Sequence, residues 1–234
     1  MSQSITVFGA GPGLGQAVAR RYAREGYAVV LVARRQDPLL ALAAELAGGA
    51  TVHVIPNDLS DTDAVPFLAA QIRGAVGDPD VLYYGVPAGG FIPVDALTPE
   101  RARALMPLAV YTLLALVQEF LPAMLERGSG AILSAQGGSA VEGRPHIAGG
   151  FALAAQRNYL QALHAAVAEK GVYVGGLYIG AVIQHSTFHA QREAARAAGT
   201  PVPDMPEVDP DYLAALLWTM HTTKSPPEAT YPAR

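Results

Sequence analysis

The chain has 234 residues, 51% of them hydrophobic and 15% charged, with no cysteine and a formal net charge of −4. That length suits one domain able to bury roughly 70% of its unfolded surface. The composition excludes disorder, a disulfide scaffold, Cys-ligated zinc and thiol catalysis, and the mild acidity argues against nucleic acid as a partner.

Residues 5–8 predict a short buried strand closed by a glycine cluster. Apolar or small residues at Leu14, Ala17, Val18 and Tyr22 have helical spacing and predict a helix over 14–25, ended by Gly26. A second strand follows at 28–33, then a helix at 37–47 that stops at Gly48-Gly49. The third strand is 51–55 and the third helix 61–73, with Asp61 placed to cap it. Residues 81–84 make a fourth strand, and Thr98 caps a long helix running to about 127. Residues 131–134 read as the fifth strand, 149–169 as a helix and 172–179 as the sixth strand. The stretch 199–210 carries four prolines and reads as a surface loop, and 211–221 as one more helix.

Strands without polar alternation, separated by helices, mean a parallel sheet covered on both faces. Two successive βαβαβ halves make the fold class α/β, a doubly wound Rossmann arrangement in a single domain. The N-terminus has no basic segment followed by an apolar run and a small-residue cleavage site. The longest apolar stretch, 105–124, is interrupted by Pro107, Gln118, Glu119 and Pro122. A cytoplasmic protein with no membrane partner is the expectation.

Between the first strand and helix lies Gly9-Ala10-Gly11-Pro12-Gly13-Leu14-Gly15. Glycine lets a backbone turn tightly and approach a pyrophosphate, while the helix start offers free N–H groups and partial positive charge. The strand–turn–helix context reads as a dinucleotide site; the alternative is a tight turn without a ligand. At the end of the second strand stands Ala33-Arg34-Arg35. A ribose 2′-OH is usually met there by an acid and a 2′-phosphate by arginine, so NADP(H) is favoured over NAD(H). The alternative is a pair of solvated arginines.

These residues resemble the short-chain dehydrogenase/reductase family over nearly the whole chain. Gly9-x-x-x-Gly13-x-Gly15 is similar to its cofactor loop, Asn57-Asp58-Leu59-Ser60 to its step after the third strand, and Lys170-Gly171-Val172-Tyr173-Val174 with Ile179-Gly180 to its sixth strand. Leu121-Pro122-Ala123-Met124 and Gly130-Ala131-Ile132-Leu133 resemble the end of its fourth helix and its fifth strand. The resemblance implies cofactor contacts from Gly9, Gly11, Gly13, Leu14 and Gly15, with Asp58 and Leu59 bordering the adenine. It also implies a homodimer or homotetramer built through the fourth and fifth helices, where Arg157-Asn158-Tyr159 suits an interface.

The catalytic pattern departs. The family uses Ser, Tyr-x-x-x-Lys and Asn; ungapped counting puts Gly149 at the Tyr position, Leu153 at the Lys position, Gln136 or Gly137 at the Ser position and Ala109 near the Asn position. A two-residue shift gives Phe151 and Ala155 instead. In either register no tyrosine lies between Tyr111 and Tyr159, and no lysine precedes Lys170. A positioned general acid is worth about 10²–10⁴ in rate, so ordinary ketone reduction is expected to be slow.

Five residues are the candidates for a substitute site. The Gln136 amide can orient a carbonyl but cannot give up a proton usefully. Tyr84 and Tyr178, each ending a strand, offer a phenol or simply fill volume. His146, ahead of the fifth helix, is of a residue type able to transfer a proton, or is a solvated loop histidine. Gln184 stands roughly where the family's Thr meets the nicotinamide amide. His185 and His189 have the i, i+4 spacing of two metal ligands, but no third ligand is apparent nearby and no metal is expected. Two functions follow: an NADP(H)-dependent oxidoreductase acting on a small organic substrate with a non-standard site, or a dinucleotide-binding pseudoenzyme serving as redox sensor or partner subunit.

Overall fold

The computed structural model describes residues 3–88 and 90–233. Its strands are β1 (Ser4–Phe8), β2 (Ala28–Ala33), β3 (Val52–Pro56), β4 (Val81–Tyr84), β5 (Gly130–Gly137), β6 (Val172–Ile179), β7 (Val182–Ile183), β8 (Glu207–Val208) and β9 (Glu228–Tyr231). Seven of them form one sheet in the order β3-β2-β1-β4-β5-β6-β9, every pair parallel. The expected Rossmann-type architecture is present. Winding reverses between β1 and β4, which opens a crevice at the carboxyl ends of those strands.

Helices cover both faces: α1 (Leu14–Arg24), α2 (Gln36–Leu46), α3 (Val65–Val76), α4 (Pro99–Met106), α5 (Thr112–Glu126), α6 (Gly150–Val167), α7 (Thr187–Ala197) and α8 (Pro210–Thr223). Successive strand residues point to opposite sides, so Val7, Leu31, Tyr83 and Leu133 pack with α1, α2 and α8. Phe8, Val30, Leu82 and Ile132 pack with α3, α5 and α6 on the other face. Each β-branched run thus feeds two cores at once, which is why the strands lack polar alternation.

The structure corrects several local expectations. Asp61 makes no capping bond; Thr62–Ala64 form a 3₁₀ turn before α3, and the ordering carboxylate is Asp58, which accepts from the Ser60 N–H and Oγ. Thr98 does cap its helix, accepting from Arg101 N at 3.3 Å. That helix, however, is broken by a π-helical turn at Pro107–Tyr111 between α4 and α5. By length and composition, Pro99–Glu126 is apolar enough to cross a membrane, yet Leu113, Leu116, Val117, Phe120 and Met124 face the sheet core. α7, the β7–β8 pair and β9 are elements beyond the expected set; β9 adds a parallel strand to β6.

α8 is locked to α1 by an aromatic cluster. Tyr22 lies 5.1 Å from both Tyr27 and Trp218, and its hydroxyl is 3.0 Å from His221 Nδ1. Burial, helped by the Lys224 charge, lowers the His221 pKa from 6.5 to about 4. The folded state therefore holds this ring neutral where the unfolded chain protonates it. Stability is flat above the unfolded value and declines as pH falls from 6.5 towards 4. Urea unfolding is expected to show a loss of ~2–3 kcal/mol between about pH 7 and about pH 4.5 from this group. His221→Leu should remove that part of the decline; an unchanged pH profile in the variant would refute the assignment.

Candidate functional site

The crevice begins with the turn from β1 to α1. Gly15 has no room for a Cβ because the Gly9 carbonyl lies against it, so helix and strand meet backbone to backbone. Gly13 has φ +89°, a left-handed conformation, and a side chain there would approach Ser186 Cβ to 3.1 Å. Nothing lies within 4 Å of a Cβ built on Gly11, so this edge of the turn is open. No side chain caps α1 and no acid stands in its first turn. The positive end of the helix is left available to an anion. Leu14 is buried beneath it.

Arg34 follows β2 at the same sheet edge, exposed, with no ion pair or hydrogen bond among the described residues. Asp58 lies after β3, and its carboxyl is held below the usual range by the backbone and side-chain bonds from Ser60, with the Arg34 charge contributing. Leu59 is buried, and its carbonyl accepts from Thr112 Oγ1 at 2.6 Å. The glycine turn, Arg34, Asp58 and Leu59 are thus brought together by the ends of three adjacent strands.

Beyond β4 the picture changes. A π-helical turn frees carbonyls from the regular ladder, and buried carbonyls need partners. Tyr84 OH donates to Leu108 O at 2.6 Å, and Gln156 Nε2 donates to Ala109 O at 2.5 Å. Ser134 Oγ donates to Gln156 Oε1 at 2.7 Å, closing a buried chain from β5 through α6 to the turn. Tyr84 is fully buried, and burial pushes its pKa up. Its phenol is committed to packing and to that carbonyl.

The other candidates are scattered. Gln136, 5% exposed, pairs with Tyr178 in the β5–β6 register, and its Nε2 has no acceptor among the described residues. Tyr178 turns to the sheet edge, where it lines a cavity of about 410 Å³ with Glu228, to whose Oε1 it donates at 3.3 Å. Burial, then the Glu228 charge, raises its pKa. His146 is exposed on the loop before α6. Gln184 bonds Glu207 through its side chain and Val208 O through its N–H, tying β7 to β8.

Residues 3–195 match the family described as short chain dehydrogenase. The chain belongs to that family. A fatty acyl-CoA reductase of Mycobacterium tuberculosis is 34% identical over 134 residues, 56% of this chain and 45% of the relative. The chain spans about half the length of the curated relatives it matches. The L-sorbose reductase of Gluconobacter frateurii, solved with NADPH and L-sorbose, superposes with a TM-score of 0.86 at 22% identity, covering 98% of this chain and 94% of that one. A short chain oxidoreductase of Pseudomonas aeruginosa PAO1, described as containing an atypical catalytic center, gives a TM-score of 0.82 at 22% identity over 97% and 94% of the two chains. Both likenesses are of fold.

Gly149 and Leu153 lie on the buried side of α6 and its approach, whereas Phe151 and Ala155 face outward. Leu153 is 3% exposed and packs with Ala109 and Tyr178. An apolar side chain fills the position that ungapped counting gives to the family's lysine. Gln156 was missed in the sequence, although a lone amide in the buried stripe Ala152, Leu153, Leu160 and Leu163 was a signal for it. A third metal-ligand type was missed as well. His189, Glu193 and Glu207 place ligand atoms within 4.8 Å of one another, and not His185, whose φ is 61°. Arg196 bonds both carboxylates and already supplies a cation there.

Replacing Gln156 with Leu strands Ser134 Oγ and Ala109 O in a dry interior. The variant is expected to lose ~1–3 kcal/mol in urea unfolding at neutral pH. A stability equal to that of the parent chain would show that the network is dispensable.

Proposed function

We propose that this short-chain dehydrogenase binds NADP(H) and works as an oxidoreductase on a small organic substrate through a non-standard site. The observation that carries the reading is an unpaired, exposed Arg34 beside an uncapped glycine turn at the switch point of the sheet. The cradle fits a pyrophosphate: Gly11 leaves space, and side chains at Gly9 or Gly15 would collide with backbone. Arg34 offers a planar fork to a 2′-phosphate, and Asp58 and Leu59 border the adenine end. The L-sorbose reductase of the same fold was solved with NADPH, which supports the choice of cofactor.

When bound, the reduced nicotinamide supplies hydride. In this reading the Gln136 Nε2–H donates to the substrate oxygen, because its buried amide otherwise lacks an acceptor. An amide does not release a proton, so the proton source is separate, and His146 ahead of α6 is assigned that place. Tyr84 and Tyr178 keep packing roles, and Gln184 holds the segment that carries Ser186 against the turn. We also infer a cytoplasmic homo-oligomer joined through α4–α5 and α6, whose outer faces expose Tyr111 at 47% and Phe151 at 42%.

The second reading, a redox sensor without turnover, is favoured by one observation: a neutral Ser134–Gln156–Ala109 chain runs beneath α6, where Leu153 holds the counted lysine position. NADPH fluorescence followed by a panel of carbonyls and imines separates the two. Oxidation of NADPH by any panel member supports the enzyme, and tight binding without oxidation supports the sensor. Arg34→Ala is expected to raise the NADPH dissociation constant about tenfold or more while leaving NADH unchanged. Preference of the unaltered protein for NADH would overturn the cofactor assignment. Light scattering is expected to report a dimer or tetramer that Tyr111→Asp with Phe151→Asp converts to monomer; a monomer without substitution would refute the interface.

A further inference from the structure

α7 is a helix with an inverted pattern. It buries a single residue, and that residue is Arg192, only 5% exposed. Its Nη2 donates to Pro203 O at 2.7 Å, and its guanidinium carbon sits 5.7 Å from the Phe188 ring centroid. Its Nε has no acceptor, and among the described residues no carboxylate lies within ion-pair distance of it. Of the acids of this region, Glu193 and Glu207 both pair with Arg196, His189 faces Glu207 at 3.6 Å, and Asp204 is exposed on the loop 199–206. A guanidinium stays charged at any ordinary pH, and burying a charge without a partner is costly.

The same arginine lines a groove of about 330 Å³ between α7, the loop 199–206 and the loop after β4. Its other walls include Phe91, Phe188, Val202 and Met205, the two phenylalanine rings stacking at 4.9 Å. Phe91 is 58% exposed, so the groove has an apolar lip open to solvent. The volume lies in the range of small-molecule sites, which are mostly apolar with a few placed polar groups. The groove adjoins the glycine turn at one end and the start of α6 at the other. Ser186, which caps α7, adjoins Gly13, and Ile92 O, next to Phe91, accepts from Ala148 N at 2.8 Å just ahead of α6.

We propose that this groove binds an anionic amphiphile, a carboxylate with a hydrophobic body. The anion completes the Arg192 fork that Pro203 leaves partly unused, and the body lies against Phe91 and Phe188. Its use as the substrate subsite rests on the NADP(H) reading above; the binding itself does not.

Calorimetric titration of the full chain with decanoate and, in parallel, decanol tests this, the pair differing in charge at equal chain length. Decanoate is expected to bind about tenfold or more tightly than decanol. Arg192→Met should bring decanoate to the level of decanol, and Arg192→Lys should keep an intermediate affinity. Phe91→Ala, at an exposed position, should weaken both ligands by a common factor and serves if Arg192 variants fail to fold by circular dichroism. Equal affinity for the two ligands in the unaltered protein, or unchanged decanoate binding in folded Arg192→Met, would overturn the proposal. NADPH titration of the same samples keeps the readings apart: decanoate binding without NADPH binding defeats only the cofactor assignment, and the reverse defeats only this one.

Discussion

The contact between the Gly9 carbonyl and the backbone of Gly15 governs the geometry of everything around the crevice. It lets α1 start directly above the end of β1, with no side chain in between and no cap on its first amides. A larger residue at Gly15 would push the helix off the strand and with it the positive end of its dipole, whereas one at Gly9 would run into the Gly85 backbone after β4. Because β1 lies between β2 and β4, that displacement would be felt by both of them as well. The uncapped helix start is thus placed by an absence of side-chain atoms.

The neighbouring half of the site shows how a buried polar centre is built around positions where ungapped counting meets Gly149 and Leu153. The π-helical turn remains, and its carbonyls still demand donors. Tyr84 and Gln156 supply them, with Ser134 completing the chain. Neutral amide and hydroxyl groups satisfy that demand without burying a charge. The Gln136 amide beside this centre is buried with its Nε2 unpartnered among the described residues.

The sequence disclosed the fold well and the site unevenly, for identifiable reasons. Strands such as Val29–Val32 are apolar throughout because both faces are covered, and that pattern is visible locally. The glycine turn is legible because its requirement is conformational and lies within seven residues. α7 was not legible, since its polar composition lacks an apolar stripe; what it buries is Arg192, packed against a loop eleven residues on. The β7–β8 pair and β9 join segments too far apart for periodicity to report. Asp61 was misjudged because Asp58 forms a turn with Ser60 before any helix begins. The tyrosines were ambiguous because a strand end alone does not say which face a phenol takes, and tertiary partners, Leu108 for one and Glu228 for the other, decided it.

The thin attachment of α7 has a dynamic consequence. A helix that contributes one buried side chain, and a cationic one, adds little to the cooperative core, so it belongs to the low-free-energy end of local opening. Its amides should exchange with solvent through breathing of this segment alone, while the sheet beneath stays closed. Occupancy of the groove would then be read as slowed exchange at α7, a local clock for a flap that the rest of the molecule does not need in order to stay folded.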